Sequence, residues 1–370
     1  MTSYDIDGMV PKRIQRPTDN ATLARCVGDA HDAGEALVLW GGGTRIDVGE
    51  PPARYDTAVD LRGLSGVVDH SPADLVCTVR AGTTLASLAE VLARAGQRWP
   101  VDVAEPDRAT VGGTIASAAP GPTRLRFQHP RDWVIGCTAV LGDGTIARAG
   151  GRVVKNVTGY DLTRLYSGSY GTLAALAELN LKLVALDEQR LTMRLRDQDG
   201  TRLARLAMEL RDATPLDAIA LRSEGAAAAL YVRVAGGRAS VSRVADELRR
   251  RGEFEDVDDS AWADVMRPPD GLALARLAVP PGREADVLAS AFLAYPGTGI
   301  AYVAADVDAL RGLRARCEAM GGALILERAS VADKRALGVW GARRNVPRIA
   351  RELKARFDPH GILAPGRFPA

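Results

Sequence analysis

The residues best suited to chemistry in this sequence lie in three glycine-rich segments. The first is Trp40-Gly41-Gly42-Gly43-Thr44-Arg45, which begins at the last residue of an apolar run, and all six residues are candidates for binding a cofactor. Glycines let backbone N–H groups approach an anion because no Cβ intrudes, and successive N–H groups form an anion-binding nest. The Thr44 hydroxyl and the Arg45 guanidinium add hydrogen bonds suited to a pyrophosphate. Taken alone, the triplet favours a tight turn after a strand over an anion site.

The second and third segments, residues 106–117 and 155–173, pair glycines with hydroxyl, amide and phenol groups. Adjacent glycines suit a backbone pressed against a flat ring or a diphosphate, and polar groups held between apolar segments are either hydrogen-bonded core or ligand contacts. The alternative for the second segment is a packing turn of small residues. The residues singled out in these two segments are Pro106, Thr110, Gly112, Gly113, Thr114, Asn156, Tyr160, Gly171 and Thr172.

The two best-known phosphate-binding loops are both excluded. The first loop lacks the GxGxxG spacing and the following helix of a dinucleotide-binding Rossmann motif. It also lacks the GK[ST] ending of a P-loop. If it binds phosphate, the fold must be of another kind.

The elements that position these segments mix helices with short strands. Helical patterns occupy residues 18–34 and 84–96, and strand patterns occupy residues 36–40, 57–61 and 75–79. A hairpin is predicted within residues 133–149, around Gly142-Asp143-Gly144. Residues 173–178 are predicted as a short helix before a strand at 179–186. From residue 188 onward, amphipathic helices alternate with strands. The pattern predicts an α+β fold with a first domain over residues 1–187 and a second over 188–370.

Composition excludes several functional classes. The 370 residues carry a net charge of +2, which argues against a nucleic-acid surface built on bulk charge. No apolar run reaches the roughly 18 residues of a membrane span, and the first ten residues do not resemble a signal peptide. The four cysteines and four histidines are scattered, so neither an iron–sulfur cluster nor a metal site is expected. The expected location is the cytoplasm, with contact to the inner face of the cell membrane only through partners.

Taken in order, the three segments resemble the FAD-binding domain of the vanillyl-alcohol oxidase/para-cresol methylhydroxylase (PCMH) superfamily. The resemblance covers residues 5–186 and resumes at residues 357–367, which are similar to the closing motif of FAD-linked oxidases. Residues 151–162, with Gly121-Pro122-Thr123-Arg124 upstream, resemble a flavin-binding subunit of bacterial glycolate oxidase. The resemblance implies a two-subdomain PCMH-type FAD-binding domain and a shorter α+β C-terminal domain. It also implies that residues 346–370 return to the FAD domain.

The resemblance further assigns the singled-out residues. It puts the FAD pyrophosphate on Gly41 to Arg45 and brings the segment from Thr110 to Thr114 against the pyrophosphate and flavin. It predicts that the rest of the cleft is lined by Asn156, Tyr160, Gly171 and Thr172. No His or Cys stands in the first loop, where some relatives tether the flavin, so non-covalent FAD is expected.

The sequence departs from the active relatives in its histidines. Those relatives carry an HxGDGNxH motif that binds metal and supplies the substrate base, whereas this chain has no histidine between His129 and His360. A base on the substrate hydroxyl assists hydride transfer to flavin. His129, His360 and Tyr160 remain as candidate bases. Arg124, Arg131 and Arg343-Arg344 are candidates for clamping a carboxylate, with a solvated face as the alternative.

Two functional hypotheses follow. In the first, the chain is the FAD-binding subunit of a glycolate oxidase-like complex, with a larger FAD-containing hydroxy-acid oxidase subunit and an iron–sulfur subunit as partners. In the second, it is a free-standing FAD-dependent 2-hydroxy-acid dehydrogenase with an unrecognised base. A structural relic and the reductase that makes UDP-N-acetylmuramate are less favoured alternatives. The missing histidine motif favours the first hypothesis.

Overall fold

The computed structural model describes residues 4–152, 161–280, 283, 287, 290–341 and 346–368. The helices are α1 Asn20–Ala33, α2 Leu85–Ala93, α3 Val111–Ala116, α4 Arg124–Phe127, α5 Leu162–Tyr166, α6 Gly200–Ala213, α7 Arg238–Arg251, α8 Ala261–Met266, α9 Val307–Ala319, α10 Val331–Leu337 and α11 Val346–Phe357. The strands are β1 Arg13–Gln15, β2 Leu37–Trp40, β3 Thr57–Asp60, β4 Val67–Ser71, β5 Val76–Arg80, β6 Gln97–Arg98, β7 Val134–Leu141, β8 Ile146–Gly150, β9 Ala174–Lys182, β10 Val184–Ala185, β11 Gln189–Asp197, β12 Ala218–Glu224, β13 Ala227–Gly236, β14 Glu255–Val257, β15 Ala273–Ala278, β16 Leu293–Tyr295, β17 Ile300–Ala305 and β18 Ala323–Arg328.

A three-stranded parallel sheet, in the order β1-β3-β2, forms the first layer. Helix α1 connects its first two strands and packs on it through Leu23 and Val27, which are fully buried. The helix begins at the Asp19 cap, whose carboxylate accepts from the Thr22 N–H, and it ends at Gly34 in the left-handed conformation (φ 65°). Helix α1 therefore ends just before β2, and the first glycine loop follows the carboxyl end of β2.

The end of the chain returns to this parallel sheet. The Leu37 N–H donates to the Ile362 carbonyl (2.8 Å), and the Ala364 N–H donates to the Leu37 carbonyl (2.7 Å). Asp358, only 1% exposed, accepts from the Ile362 and Leu363 N–H groups and from the Lys354 ammonium. The closing segment, residues 358–364, therefore completes the layer that carries the first glycine loop.

A five-stranded antiparallel sheet, in the order β4-β5-β9-β7-β8, forms the second part of the N-terminal half. The helix predicted over residues 173–178 is wrong, because most of this stretch belongs to the central strand β9. This stretch is almost wholly buried and pairs with β5 on one side and β7 on the other. A short, continuously apolar run does not distinguish a buried strand from a buried helix. The predicted hairpin is present as β7 and β8.

The C-terminal half is built on an eight-stranded antiparallel sheet in the order β14-β11-β13-β12-β16-β17-β15-β18. Helices α6, α7 and α9 cover one face, burying Leu203, Val244 and Leu310 against the strands. The opposite face carries an aromatic cluster that includes Tyr295 and Tyr302 and turns toward the N-terminal half. The mixed α+β architecture expected from the sequence is thus confirmed.

A buried ionic network joins the two halves. Arg233 on β13 donates to Asp217 (2.8 Å) and also contacts Asp102 of the N-terminal half. Arg98 on β6 reaches Asp187 (2.9 Å) and Asp217 (3.4 Å). Arg233 and Asp217 are almost fully buried, so their charges depend on one another. In the described part of the chain, no helix is both long enough and apolar enough to cross a membrane.

Candidate functional site

The first glycine loop is pressed against the second. A Cβ on Gly41 would overlap the Thr110 hydroxyl, and a Cβ on Gly42 would overlap the Arg108 carbonyl. The Arg108 guanidinium also donates to the Gly42 carbonyl (3.3 Å). Gly43 has a φ of 72°, which disfavours side chains. Glycine is therefore required by the contact between the loops as well as by any ligand.

The second loop begins the short helix α3. Thr110 caps the helix, and its hydroxyl accepts from the Gly113 N–H (3.2 Å). Gly112 lies so close to Ala81 that a Cβ would stand 2.6 Å from the Ala81 Cβ, and its N–H donates to the Ala81 carbonyl (2.8 Å). Small residues thus allow α3 to pack closely against the end of β5. They also leave backbone and hydroxyl groups of the second loop facing the first loop.

A cleft of about 410 Å³ runs between these loops and the open face of the C-terminal sheet. The residues singled out in the sequence that line it are Gly41, Gly42, Gly43, Thr44, Arg45, Thr110, Gly112, Gly113, Thr114 and Gly171. Its far side comes from the C-terminal half, with Tyr295 and Tyr302 on the sheet and Met266 at the end of α8. The cleft therefore joins an end lined by the two glycine loops to an aromatic end.

Three of the singled-out residues, Trp40, Pro106 and Thr172, are not among the residues that line the cleft. Trp40 is buried beneath the first loop, and its Nε1 donates to the Tyr55 hydroxyl (2.7 Å). The Pro106 carbonyl accepts a hydrogen bond from the Ala86 N–H at the start of α2. The Thr172 hydroxyl donates to the Ser169 carbonyl (2.7 Å). Asn156 and Tyr160 lie outside the described residues, as do Arg343 and Arg344.

His129 has a structural role in a turn beside the cleft. Its Nδ1 accepts from the Arg131 N–H (3.3 Å), and the Asp132 carboxylate accepts from the His129 N–H (3.2 Å). Burial, together with Arg124 and Arg131, lowers the pKa of His129 to about 4. His129 is not among the residues lining the cleft. His360 stacks on His31 with ring centroids 3.8 Å apart, at the closing segment.

The lowered pKa of His129 predicts a pH-dependent stability. Its folded pKa lies below the unfolded value near 6.5, so the unfolded chain binds more protons as pH falls from about 6.5 to 4. We expect the free energy of unfolding to fall as the pH falls across this window. In His129→Gln, the slope of this free energy against pH should be smaller by the contribution of nearly one proton. Urea unfolding of both proteins at several pH values measures it. Identical slopes would contradict the assignment.

The structure also brings together charged residues that the sequence did not single out. Glu327 on β18 accepts from the Arg276 Nε on β15 (2.8 Å) and from the Arg45 guanidinium. Burial disfavours the charged form of Arg276, but Glu327 raises its pKa above the usual value. Burial raises the pKa of Tyr302 to about 12. A charge within an otherwise apolar strand, as at Arg276, or at the end of one, as at Glu327, is the local signal that could have revealed them.

The donors around the cleft fit a dinucleotide cofactor. Gly41 to Gly43 and Gly113 present backbone without side-chain obstruction, and Thr44 and Thr114 offer hydroxyl groups at the same end. The Arg45 guanidinium lies between this end and Glu327, to which it donates. Residues 11–150 match the family model of an FAD binding domain. These residues form an FAD-binding domain. FAD is therefore the cofactor, and the resemblance to PCMH-type FAD-linked oxidases is confirmed.

Curated relatives of the FAD-binding domain are FAD-linked oxidoreductases. The chain is 33% identical to glycolate oxidase subunit GlcE of Escherichia coli over 213 residues, which covers 57% of this chain and 59% of that protein. It is 29% identical to glycolate oxidase subunit GlcD of Bacillus subtilis (50% and 39%). It is 32% identical to a D-2-hydroxyglutarate dehydrogenase of Xanthomonas citri (47% and 37%). The matches span less than two thirds of each of these relatives.

Solved structures extend the likeness of fold beyond the FAD-binding domain. Alkyldihydroxyacetonephosphate synthase superimposes over 95% of this chain and 75% of its own, with a TM-score of 0.68 and 14% identity. At that identity the likeness concerns the fold alone. Among the described residues, no group of three His, Cys, Asp or Glu side chains is arranged to hold a metal ion.

Proposed function

We propose that this chain is the FAD-binding subunit of a glycolate oxidase-like complex that oxidises glycolate to glyoxylate. The observation that carries the proposal is the similarity to glycolate oxidase subunits GlcE and GlcD, which extends over 57% and 50% of the chain. The proposed partners are a larger FAD-containing subunit and an iron–sulfur subunit. The proposed role is to bind FAD non-covalently and to pass electrons, without a substrate base of its own.

The chain's own residues support binding more than proton abstraction. FAD, when bound, supplies an acceptor for two electrons from a C–H bond. Gly41 to Arg45 would hold its pyrophosphate, since backbone N–H groups and a guanidinium offer charge-assisted hydrogen bonds there. Thr110 and Gly112 fix the second loop against the first. The lowered pKa of His129 makes it a weak base near neutral pH, which favours a partner-dependent role.

A free-standing 2-hydroxy-acid dehydrogenase is the second candidate. It is favoured by the similarity to D-2-hydroxyglutarate dehydrogenase and by the charged residues Arg45, Arg276 and Glu327 at the cleft. Under this alternative, the cleft would bind and oxidise the acid without help from another subunit.

The visible spectrum of the purified chain, before and after anaerobic addition of glycolate or D-lactate, separates the two. We expect a flavin spectrum, retained or restored by added FAD, that does not bleach with either acid. Bleaching at a rate matching a complete complex would favour the free-standing enzyme. Failure to take up FAD at all would overturn both. Loss of the flavin by acid precipitation tests non-covalent binding.

A further inference from the structure

The first glycine loop continues into a short irregular segment, residues 46–50, which we call the loop extension. The Ile46 N–H donates to the Gly43 carbonyl (3.4 Å), and the Val48 N–H donates to the Arg45 carbonyl (3.3 Å). The first residues of the extension also line the cleft, next to the loop itself. Because these hydrogen bonds tie the extension to the loop, a displacement of the extension would displace the loop.

A buried arginine near the end of the chain holds the loop extension. Arg367 is 4% exposed, and its Nη2 donates to the carbonyls of Ile46 and Val48 (2.8 Å to Val48). The Arg367 carbonyl accepts from the Glu50 N–H (3.1 Å). Gly49 has a φ of 133°, and a Cβ at this position would stand 3.0 Å from the Arg367 Nη2. The extension is therefore folded around this side chain, and glycine at position 49 leaves room for it.

A buried lysine of the C-terminal half holds the same segment. Lys334, on α10, is fully buried, and its ammonium donates to the Asp47 carbonyl (2.8 Å) and to both carboxylate oxygens of Asp7 (2.8 Å each). Three consecutive carbonyls of the extension thus accept from two cations. Neither Lys334 nor Arg367 is among the residues that line the cleft. They would therefore act on a bound cofactor through the loop extension and not by direct contact.

The burial of these two cations makes the contact specific for one conformation of the extension. Removing a charged group from water is costly unless hydrogen bonds replace the lost hydration. Burial accordingly lowers the pKa of Arg367, while Asp7, Asp47 and Tyr55 oppose this shift. A displaced extension would leave the buried guanidinium without the carbonyls that accept from it. The two cations therefore favour the observed conformation of the loop over its alternatives.

We propose that Arg367, assisted by Lys334, is a positioning residue for FAD, which holds the loop extension and thereby keeps the first glycine loop in the conformation that binds the cofactor. A site whose loop is already ordered binds more tightly, because the cost of ordering it is not charged to binding. Both residues lie outside residues 11–150, which match the family model of an FAD binding domain. FAD affinity is therefore set partly by the C-terminal half and the chain end. This goes beyond the proposed function, since it holds for a subunit and for a free-standing enzyme alike.

Titration of FAD into the FAD-free protein, followed by flavin fluorescence, tests the role of Arg367. We expect Arg367→Gln to weaken FAD binding by about tenfold or more, because the charged donor to two carbonyls is lost. Arg367→Lys keeps the charge and should weaken binding less, and Lys334→Gln should act in the same direction. Val244→Ala is the control for a general loss of stability, since it removes packing beneath α7 and, being distant from the loop, should change FAD affinity by less than about twofold.

Gly49→Ala disturbs the same contact from the other side. An added Cβ would press on the Arg367 Nη2 in a backbone conformation that is already strained for a side chain, so FAD binding should weaken again. If both substitutions act through one contact, the double variant Gly49→Ala/Arg367→Gln should bind FAD about as weakly as the worse single variant. Gly225→Ala is the control for backbone strain, because Gly225 has a φ of 70° and nothing within 4 Å of an added Cβ. Its FAD affinity should be unchanged.

Hydrogen exchange of the peptide that contains residues 364–368 provides a readout other than affinity. A coupling between two sites is reciprocal, so a clamp that strengthens FAD binding must itself be strengthened by FAD. We expect added FAD to slow amide exchange in this peptide of the wild type, and to slow it less in Arg367→Lys. A purely structural contact would exchange at the same rate with and without FAD.

Three results would overturn the proposal. One is equal FAD affinity in the wild type and Arg367→Gln, and another is an equal loss of affinity in Val244→Ala, which would indicate general destabilisation. The third is full additivity of Arg367→Gln and Gly49→Ala, which would mean that they act through separate contacts. If Arg367→Gln does not fold, the same cycle with Arg367→Lys decides. None of these measurements involves glycolate, so they leave the proposed function to the bleaching experiment.

Discussion

Gly42→Val is expected to abolish FAD retention while leaving a folded protein. A Cβ at this position would overlap the Arg108 carbonyl, which belongs to the backbone and cannot rotate away. The two loops would have to separate, and the backbone donors would no longer converge on the pyrophosphate. Loss of two charge-assisted hydrogen bonds, at about 1.5–3 kcal/mol each, predicts FAD binding weaker by more than about 100-fold.

Flavin absorbance after gel filtration, followed by FAD titration of the stripped protein, measures this effect. Gly312→Val is the control, since Gly312 lies on α9 with nothing within 4 Å of an added Cβ. Circular dichroism of both variants shows whether the fold survives. A Gly42→Val protein that keeps its full yellow colour would refute the assignment of the pyrophosphate to this loop.

Asp358→Ala is expected to destabilise the protein strongly. Asp358 is fully buried and accepts from the Lys354 ammonium and from two N–H groups of the closing segment. The Lys354 ammonium would keep its hydrogen bonds to the Thr172 and Leu363 carbonyls but would lose its only charged partner in the described chain. Breaking a buried ion pair from one side costs about 3–5 kcal/mol, so we expect a fall of that size in the free energy of unfolding.

Urea denaturation of the wild type and the variant gives the difference. Glu352→Ala is the matched control on the same helix, because its pair with Arg348 is exposed and 3.8 Å long, and such pairs contribute under about 1 kcal/mol. If Asp358→Ala were no more destabilising than Glu352→Ala, the carboxylate would not be what holds the closing segment in place.

Features encoded by neighbouring residues were predictable from the sequence. The α+β class followed from the helix and strand patterns, and the FAD cofactor followed from the family resemblance that the ordered glycine segments carry. Residues 173–178 were misassigned because their apolar run fits a helix as well as a strand. Only pairing with β5 and β7, which depends on distant residues, decides between the two.

The aromatic end of the cleft was not predictable in the same way. Arg45 and Glu327 meet although they are 282 residues apart. Arg276 stands opposite Tyr302, which lines the cleft, because β15 lies between β17 and β18, an order that local spacing does not determine. Taken alone, β15 has the pattern of a core strand with one charged residue, and β18 has the pattern of a core strand that ends in Glu327 and Arg328. The contacts of these charged residues can be identified only in the folded protein, where β15, β17, β18 and the first glycine loop lie together.

The return of the chain end to β2 has a consequence for biosynthesis. Leu37 emerges early from the ribosome, but its partners Ile362 and Ala364 are made more than 300 residues later. At about 5–20 residues per second, this interval is roughly 15 s to one minute. During that time the layer carrying the first glycine loop lacks its closing segment. Stable cofactor loading is therefore expected only after residues 358–364 have emerged from the ribosome and paired with β2.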